Sequence, residues 1–397
     1  MSSHGFISLG RRVDKTAEDR LGGGVINLGA VSTKRRDVEL NNNVLILTAL
    51  VVGVLFAIRT VVRWSRKYEL SGKVVLITGG SRGLGLVMAR ELVRQGARLA
   101  ICARDKTGLE RAHQELVAGG ADVLAVPCDV TDKDQVNKMV QAVRSHFGQI
   151  DVLINNAGAI AVGPMEVMTL EDYEAAMNIH FWAPLHTLFA VLPEMRQRRE
   201  GRIVNISSIG GKISVPHLLP YSASKFALTG FSEGLRAELA KDGVVVTTIC
   251  PGLMRTGSPY NAIFKGQHRA EYTWFSLSDS LPIISMSAER AARQIIAACK
   301  RGDAEVVLSL TAQIAIKFHD LFPGLTANLL GLFNKLLPEP GGIGTEHALG
   351  KDSHSALSPS GLTVLTDKAA KQNNEIAEAG SDTKQLSDRV LAKRAQS

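Results

Sequence analysis

The chain has 397 residues, of which 45% are hydrophobic and 21% are charged. This composition supplies enough apolar material for one large domain or two. The formal net charge is +8, but residues 1–73 carry 12 lysines and arginines against 6 acidic residues and so account for +6 of it. Because the rest of the chain is close to neutral, a basic nucleic-acid-binding core is excluded, and we expect no nucleic acid partner.

The four cysteines, Cys102, Cys128, Cys250 and Cys299, are scattered along the chain without a C-x-x-C pair. Most of them lie in apolar stretches, which predicts buried thiols in a reducing compartment rather than disulfides. We expect no metal site from these residues.

An apolar segment near the N-terminus predicts a membrane anchor. Residues 1–43 are polar and mixed in charge, and predict a flexible segment. The fifteen residues 44–58 carry no charge, and as a helix they would span about 22 Å. Extended to residue 62, with Arg59 reaching toward the interface, the segment spans about 28 Å, close to the roughly 30 Å of a bilayer core. We predict a single transmembrane anchor at 44–62, with a buried core helix as the alternative.

The charges that flank this segment bear on its orientation. Four basic residues follow it between positions 59 and 67, and three precede it at 34–36. This small excess favours a domain on the cytosolic side of the membrane after the anchor.

Between residues 70 and 310, short apolar strands alternate with amphipathic helices. The predicted strands lie near 74–78, 98–102, 123–126, 151–154, 202–206, 244–249 and 305–308. The predicted helices lie at about 83–95, 105–118, 132–147, 171–197, 220–241 and 287–300. This order predicts an α/β fold, a Rossmann-type doubly wound parallel sheet of about seven strands, with ligands bound at the carboxyl ends of the strands.

Two further regions follow this domain. Residues 311–338 predict an apolar helical extension, with Pro323 at the start of a second helix or at a kink. Three roles stay open for it: packing on the domain, contact with a second copy in a homo-oligomer, and interfacial contact with a membrane. Residues 339–397 are polar and predict a loosely ordered tail.

Two short motifs carry the chemistry. The segment Thr78–Gly85 follows the apolar run 74–77 and reads T-G-G-S-R-G-L-G. A glycine-rich turn between a strand and a helix lets the backbone approach phosphates, and the helix N-terminus supplies N–H donors. Downstream, Tyr221 and Lys225 lie one helical turn apart. Together the glycine loop and this pair predict nicotinamide-dependent redox chemistry.

Over roughly residues 70–310 these motifs resemble the short-chain dehydrogenase/reductase family. Further matches are Asn155-Asn156-Ala157-Gly158, Cys128-Asp129-Val130, Ser208 thirteen residues before Tyr221, and Pro251-Gly252 with Thr256. The resemblance implies that Ser208, Tyr221 and Lys225 are catalytic and that a larger set of residues contacts the cofactor. That set comprises Gly79, Ser81, Arg82, Gly83, Leu84, Gly85, Arg104, Asp129, Val130, Asn156, Ala157, Gly158, Tyr221, Lys225, Pro251, Gly252 and Thr256.

The catalytic residue types suit carbonyl reduction and its reverse. Tyr221 would donate the proton to the carbonyl oxygen, although a free phenol has a pKa near 10. Lys225 would lower that pKa with its charge and would hold the nicotinamide ribose. Ser208 would hydrogen-bond the substrate oxygen. Ser207 faces the other way on a strand and is predicted to be structural, and Ser224 is predicted to pack or cap its helix.

One position departs from the family pattern. His180 lies where relatives usually have a helix Asn, whose backbone carbonyl helps to bind a water in a proton relay to the lysine. Asn178 lies two residues earlier and would face another way on a helix. Three roles stay open for His180: it preserves the relay through its carbonyl, it joins the relay through its imidazole, or it only packs.

The end of the second strand favours NADP(H) over NAD(H). NAD-using relatives have an acidic residue there, which accepts a hydrogen bond from the ribose 2′-OH. Here the position is Ala103, Arg104 follows it, and Arg82 brings a second cation. Two guanidinium groups suit a 2′-phosphate, which a carboxylate would repel.

The region expected to cover the substrate is rich in aromatic residues. It contains Tyr260, Phe264, Tyr272, Trp274 and Phe275, although core packing would account for two or three of them. With the apolar extension and the anchor, they predict a lipophilic substrate, such as a keto-lipid or a steroid-like compound, taken from the membrane.

The sequence therefore predicts a membrane-anchored, NADP(H)-dependent oxidoreductase that interconverts a carbonyl and a secondary alcohol. The alternative is a non-catalytic NADPH-binding scaffold or redox sensor, which only the departure at His180 supports.

Overall fold

The computed structural model describes residues 43–54, 56–57, 68–282, 284–355, 357–358, 360–361 and 363–376. The chain divides into two compact units, Met1–Val61 and Val62–Ser397. The described part of the first unit contains an apolar helix, α1 (Asn43–Val54), whose side chains are exposed. The predicted anchor is therefore helical over its described part, whereas residues 55 and 58–62 and the predicted flexible segment up to residue 42 lie outside the described residues.

Among the described residues, one helical stretch is long and apolar enough to cross a membrane by length and composition, Leu170–Arg198. It belongs to the second unit, and 44% of its most apolar window is buried there. Leu188 and Val191 of this stretch join a core cluster beside the central sheet. We therefore interpret it as a core helix of the second unit.

A seven-stranded parallel sheet forms the centre of the second unit. Its strands are β1 (Val74–Thr78), β2 (Arg98–Ala103), β3 (Val123–Pro127), β4 (Val152–Asn155), β6 (Gly201–Ile206), β7 (Val244–Cys250) and β11 (Glu305–Val307). Their spatial order is β3-β2-β1-β4-β6-β7-β11. The direction of winding reverses between β1 and β4, where a doubly wound sheet opens a crevice for a ligand. The sequence predicted all seven strands to within one residue at each end.

The sheet is buried on both faces. The first strand, V-V-L-I-T, has no exposed residue, and alternate side chains point to opposite sides. Val75 and Ile77 join one core cluster with helices α2, α3 and α9, whereas Val74 and Leu76 join a second cluster with α4, α6 and α7. These helices are α2 (Gly83–Arg94), α3 (Lys106–Ala118), α4 (Lys133–Phe147), α6 (Ala183–Arg198), α7 (Leu219–Leu239) and α9 (Ala288–Arg301). The predicted fold class is confirmed.

The predicted helix 171–197 is interrupted once. Helix α5 (Leu170–Met177) passes through a π-helical turn, Asn178–Trp182, into α6. Such turns are frequent at functional sites because they shift the residues that follow by a fraction of a turn. Here the turn contains His180.

A small lid covers the carboxyl edge of the sheet. It consists of helix α8 (His268–Ser280), the strand pair β8 (Leu253–Arg255) and β10 (Ser285–Ser287), and the three-stranded sheet β5 (Ala161–Val162), β9 (Ile263–Phe264) and β12 (Ala348–Leu349). Phe264, Tyr272 and Phe275 are buried in its core. Core packing therefore accounts for three of the five aromatic residues in this region.

The C-terminal region is more ordered than expected. The apolar extension folds as two helices, α10 (Leu310–Leu321) and α11, which Pro323 begins (Pro323–Asn334). We expected a loosely ordered tail at 339–397, but its described part up to residue 376 packs on the lid and ends in helix α12 (Val364–Gln372). Hydroxyl pairs hold it there, with the Oγ atoms of Ser276 and Ser358 2.7 Å apart. Residues 377–397 lie outside the described residues.

Candidate active site

The loop between β1 and α2 lies tightly against the end of β4. Gly79 has a φ of +66°, and a Cβ atom there would lie 2.9 Å from Ala157 Cα. A Cβ atom at Gly85 would overlap the carbonyl oxygen of Gly79. Ser81 and Leu84 of the same loop are buried. Only glycine fits at positions 79 and 85, so the N-terminus of α2 comes to the carboxyl edge of the sheet, a place that suits an anion.

The N-N-A-G segment fastens this loop to the sheet. Asn156 Nδ2 donates to the carbonyl oxygens of Thr78 and Gly79, at 3.0 and 3.1 Å. In return, Thr78 Oγ1 accepts from the backbone N–H groups of Asn156 and Ala157. A Cβ atom at Gly158 would lie 3.0 Å from His180 Nε2. The geometry matches the supporting role that the family resemblance implies for this segment.

The three predicted catalytic side chains lie together. Ser208 follows β6 directly, and Tyr221 and Lys225 lie on the first two turns of α7. A Cβ atom at Gly210 would lie 3.1 Å from Tyr221 Cε1 and 3.4 Å from Ser208 Oγ, so both side chains pack against this glycine. Lys225 Nζ is 5.6 Å from the centroid of the Tyr221 ring and donates to the carbonyl oxygen of Ile206 at 2.8 Å. This is the arrangement that a proton donor, its positioning cation and an oxygen-binding hydroxyl require.

Ser207 and Ser224 have structural contacts, as expected. Ser207 Oγ donates to the carbonyl oxygen of Lys225 and lies 2.7 Å from Thr229 Oγ1, so it ties β6 to α7. Ser224 Oγ donates to the carbonyl oxygen of Tyr221 at 2.8 Å.

Burial dominates the electrostatics of the catalytic pair. It raises the pKa of Tyr221 to about 12, against a hydrogen bond from Ser208 that lowers it. It lowers the pKa of Lys225 to about 7. We expected the charge of Lys225 to lower the pKa of Tyr221. Burial dominates instead, because desolvation disfavours the charged form of both groups, and the net shift of the Tyr221 pKa is upward. At neutral pH Tyr221 is therefore the protonated phenol, the form that donates to a carbonyl oxygen.

The imidazole of His180 makes structural contacts. Its side chain is buried, its Nε2 accepts from the backbone N–H of Ala159 at 3.3 Å, and its Nδ1 lies 2.9 Å from Ser224 Oγ. The ring packs edge-to-face on Tyr221, with centroids 5.3 Å apart. Burial, and then the charge of Lys225, hold the pKa of His180 well below its usual value. Since a neutral ring with both nitrogens engaged is a poor proton carrier, this geometry favours packing over an imidazole relay.

The lid adds two buried acids that the sequence analysis missed. Glu271 is fully buried, accepts from Trp274 Nε1 at 2.6 Å and lies 2.7 Å from His217 Nδ1. Asp279 is also buried, and burial raises its pKa to about 8. Its charge also contributes to the raised pKa of Tyr221. Helical spacing alone does not distinguish such acids from exposed ones.

At the ends of β2 and β3, the residues predicted to hold the adenosine end lie together. Asp129 Oδ1 accepts from the backbone N–H and hydroxyl of Thr131, and its Oδ2 lies 3.9 Å from Arg104 Nη1. Val130, the next residue, is buried. Arg82 Nη1 donates to Asn261 Oδ1 at 3.1 Å. Of the two predicted cations, Arg104 thus lies beside Asp129 at the ends of β2 and β3, whereas the Arg82 side chain contacts Asn261 and Glu375.

The predicted nicotinamide end follows β7. The carbonyl oxygen of Pro251 accepts from the backbone N–H of Ile209 at 2.7 Å, beside Ser208. A Cβ atom at Gly252 would lie 2.7 Å from Ser309 Oγ. Thr256 is buried, and its Oγ1 accepts from Ser258 N. With the glycine loop, these residues lie along the carboxyl edge of the sheet, where a doubly wound fold binds a dinucleotide, and this row of residues is called the dinucleotide cleft below.

The structure also places residues in this cleft that the sequence analysis missed. The carbonyl oxygen of Asn373 accepts from Gly83 N at 2.8 Å, and Glu375 forms an ion pair with Arg82. The pair Asn373-Asn374 after a short helical pattern is a helix-end signal, since Asn tolerates a positive φ. That signal would have found the end of α12, but it says nothing of where α12 lies.

The residues of the cleft fit a nicotinamide dinucleotide. The glycines of the loop put no side chain between the backbone and a pyrophosphate, Arg82 and Arg104 suit a further phosphate, and Lys225 suits ribose hydroxyls.

Comparisons with known proteins agree with this geometry. The family model described as short chain dehydrogenase matches residues 73–262. The chain is 34% identical over 271 residues to the dehydrogenase/reductase SDR family protein 7-like of Anopheles gambiae, an alignment that covers 67% of this chain and 84% of that protein. A solved short-chain dehydrogenase from Streptomyces avermitilis gives a TM-score of 0.58 at 29% identity, covering 67% of this chain and 98% of that one. An actinorhodin polyketide ketoreductase solved with NADPH gives a TM-score of 0.54 at 30% identity, covering 60% and 97%.

Proposed function

The chain belongs to the short-chain dehydrogenase/reductase family, and we propose on that premise that it is an NADP(H)-dependent oxidoreductase of a lipophilic substrate. It interconverts a carbonyl group and a secondary alcohol. The observation that carries this proposal is the grouping of Ser208, Tyr221 and Lys225 at one end of a cleft whose other end is a glycine loop.

The chain's own residues account for the proton and for the position of the substrate. When bound, the nicotinamide ring supplies or accepts the hydride. Tyr221, protonated at neutral pH, donates its proton to the carbonyl oxygen during reduction and takes it back during oxidation. Ser208 Oγ accepts from Gly210 N at 3.0 Å, and its hydroxyl bonds Tyr221, so a substrate oxygen beside Tyr221 would lie within reach of the same hydroxyl. Lys225, in its charged form, stabilises the phenolate that is left.

The end of β2 supports NADP(H) over NAD(H). Ala103 presents no carboxylate to a ribose 2′-OH, and Arg104 is two-thirds exposed beside it. Arg82, the residue before the first residue of α2, supplies a second cation near the glycine loop. The actinorhodin ketoreductase, to which the chain is similar, was solved with NADPH.

Exposed apolar side chains support a lipophilic substrate taken from a bilayer. Large hydrophobic residues on α10 and α11 are largely exposed, among them Leu321 at 72% and Leu332 at 60%. Trp274 of the lid packs edge-to-face on Phe333 of α11, so the lid and this surface are continuous. A surface of this kind marks a membrane or a protein contact. With the apolar helix α1 earlier in the chain, we favour a membrane and a cytosolic catalytic domain over a homo-oligomer.

A turnover assay tests the catalytic part of this proposal. The full chain in detergent or lipid is given NADPH or NADH with a panel of long-chain keto-lipids and ketosteroids. We expect NADPH-specific consumption that Tyr221→Phe lowers by about 10²–10⁴-fold, since it lacks the proton donor. Tyr173→Phe, on α5, is the matched control. NADPH binding without turnover, unaffected by Tyr221→Phe, would instead favour the non-catalytic scaffold.

A second assay tests the membrane part. In Leu329→Glu with Leu332→Glu, we expect a higher KM for a substrate carried in vesicles and an unchanged KM for a short, water-soluble ketone. A change of oligomeric state in detergent, with both KM values unchanged, would favour a second copy as the partner of this surface.

A further inference from the structure

The C-terminal strap, residues 363–376, lies along the dinucleotide cleft. At the nicotinamide end, Ala370 is fully buried, and a Cβ atom at Gly257 would overlap its backbone. Tyr260 donates its hydroxyl to Asp367 Oδ1 at 3.1 Å. The helix α12 thus packs directly on the segment after Thr256, with no gap between the two.

At the glycine loop, the strap takes the place that suits a phosphate. The backbone N–H of Gly83, the first residue of α2, donates to the carbonyl oxygen of Asn373. The carboxylate of Glu375 lies where a Cβ of Gly83 would be. Its Oε2 is 3.4 Å from Arg82 Nε and accepts from Asn261 Nδ2 at 2.6 Å. The anionic group at this helix N-terminus is therefore the chain's own.

At the adenosine end, Asn374 fastens the strap to two elements of the core. It has a φ of +58°, and its Nδ2 donates to the carbonyl oxygens of Ser81 and Gly108 at 2.8 and 3.0 Å. Arg111 Nε donates to its Oδ1 at 2.9 Å. The side chain therefore bridges the glycine loop and the start of α3, the helix that follows β2.

These contacts indicate that the strap occupies the place of a dinucleotide and does not close over a bound one. A segment that closes over a bound dinucleotide would leave a layer of space above the glycine loop. Here the strap bonds to Gly83 N itself, and its carboxylate touches the same residue. It also engages Arg82, the cation suited to a 2′-phosphate. A phosphate and the strap cannot both occupy the place at Gly83 N and Arg82, because their atoms would overlap.

We infer that the C-terminal strap is an autoinhibitory segment, which competes with the nicotinamide dinucleotide for the cleft and has to leave before the dinucleotide binds. This inference rests on the proposed function, because it needs a dinucleotide as the competing ligand. The carboxyl group of Glu375 occupies the place that suits a phosphate, and Asn374 fixes the register of the strap.

One buried polar group of the docked strap has no hydrogen-bond partner among the described residues, which makes the docked form less stable. Within the described residues, nothing accepts a hydrogen bond from the buried Nδ2 of Asn373, and such a group costs free energy. If the docked form is populated tenfold over the released form, the apparent Kd for the dinucleotide is about elevenfold weaker than the intrinsic Kd. Removal of the Glu375 carboxyl group would lower the population of the docked form, and the dinucleotide is therefore expected to bind more tightly.

The test is equilibrium binding of NADPH to the full chain in detergent, measured by fluorescence. We expect Glu375→Ala and Asn374→Ala each to lower the Kd by about tenfold, which corresponds to about 1.4 kcal/mol. Glu346→Gln, an exposed acid elsewhere in the tail, is the control and leaves the Kd unchanged. In the unmodified chain, saturating NADPH is expected to speed hydrogen exchange of the amides in 363–376.

Three results would overturn the inference. A weaker Kd in Glu375→Ala would make the strap part of the binding site. An equal Kd, with exchange in 363–376 unaffected by NADPH, would leave the strap without a role in binding. If no variant binds NADPH while the central sheet stays protected from hydrogen exchange, the proposed function is overturned together with the inference. The first two results would overturn the inference alone.

Discussion

The two ends of the dinucleotide cleft are built in different ways. At the catalytic end, the partners come from neighbouring elements, and Lys225 bonds to Ile206 only 19 residues earlier. At the phosphate end, Asn374 bonds to Ser81 across 293 residues. The first end is part of β6 and α7, which belong to the core. The second depends on a terminal segment, which can leave without unfolding of the core.

Burial shifts the pKa of one titratable group at each end, and the two shifts have opposite directions. Burial lowers the pKa of Lys225 to about 7 and raises that of Glu375 to about 7. As pH rises through this value, the lysine loses its charge and the buried carboxylate gains one. Catalysis that depends on charged Lys225 therefore weakens in the range where the strap becomes less stable. Each end can be altered separately, which gives the predictions below.

The largest effect is expected at the catalytic end. Lys225→Met removes the charge that stabilises a phenolate at Tyr221, and we expect kcat to fall by about 10²-fold or more. In the unmodified chain, kcat for reduction is expected to fall as pH rises through about 7, because Lys225 is charged only below its pKa. Lys133→Met, an exposed lysine at the start of α4, is the control. An unchanged kcat in Lys225→Met would contradict the assigned role.

A substitution at the N-terminus of α2 tests whether the shape of the cleft beside the glycine loop can change. In Gly85→Ala the new Cβ overlaps the carbonyl oxygen of Gly79 and lies 2.7 Å from Asn156 Nδ2. We expect the free energy of unfolding to fall by about 1–3 kcal/mol, as in other overpacked sites, and NADPH binding to weaken. Gly230→Ala on α7 is the matched control, since its Cβ would meet no atom within 4 Å. There a gain of about 0.5–1 kcal/mol is expected. Equal midpoints of thermal unfolding for the two variants would show that the loop rearranges to accept the added Cβ atom.

The catalytic end could be predicted from sequence because its signals are local. Strand periodicity, the glycine spacing and the i, i+4 pair Tyr221 and Lys225 lie in short windows, and the structure brings these residues together. The same spacing misjudged the pKa of Tyr221. The helical spacing determines that Tyr221 and Lys225 lie close together. The desolvation of Tyr221, however, depends on how the lid and the strap cover the site.

The strap could not be predicted for a related reason. Its contacts are hydroxyls and amides, such as the Oγ1 of Thr366 2.6 Å from Ser280 Oγ, and they leave no apolar periodicity. A polar composition was therefore interpreted as loose order. A polar segment can still pack when each of its groups finds a partner on an existing surface.

The strap's pH dependence is a smaller effect. The pKa of Glu375 is raised in the docked form, so docking is most stable below the usual carboxyl pKa and weakens as pH rises through about 7. Arg82 is the charged group that faces Glu375, and Asn261 is its neutral partner. Between pH 6 and 8 we expect the NADPH affinity of the unmodified chain to gain up to about tenfold relative to Glu375→Gln. The ratio of the two Kd values is the measurement, because titration of NADPH and of Lys225 cancels in it. A constant ratio would contradict docking through this carboxylate.

The smallest effect separates packing from proton transfer at His180. Its pKa is held well below the usual value, so the folded state keeps the ring neutral where the unfolded state is protonated. Stability from this residue is present above about pH 6.5 and is lost as pH falls, by about 1 kcal/mol between pH 6.5 and 5.5. We therefore expect His180→Asn to lose less stability than the unmodified chain over that range, with the pH profile of kcat unchanged. His186→Asn, on the partly buried face of α6, is the control. A shift in the kcat profile of His180→Asn alone would place the imidazole in the proton relay, because a ring that only packs on Tyr221 has no proton to give.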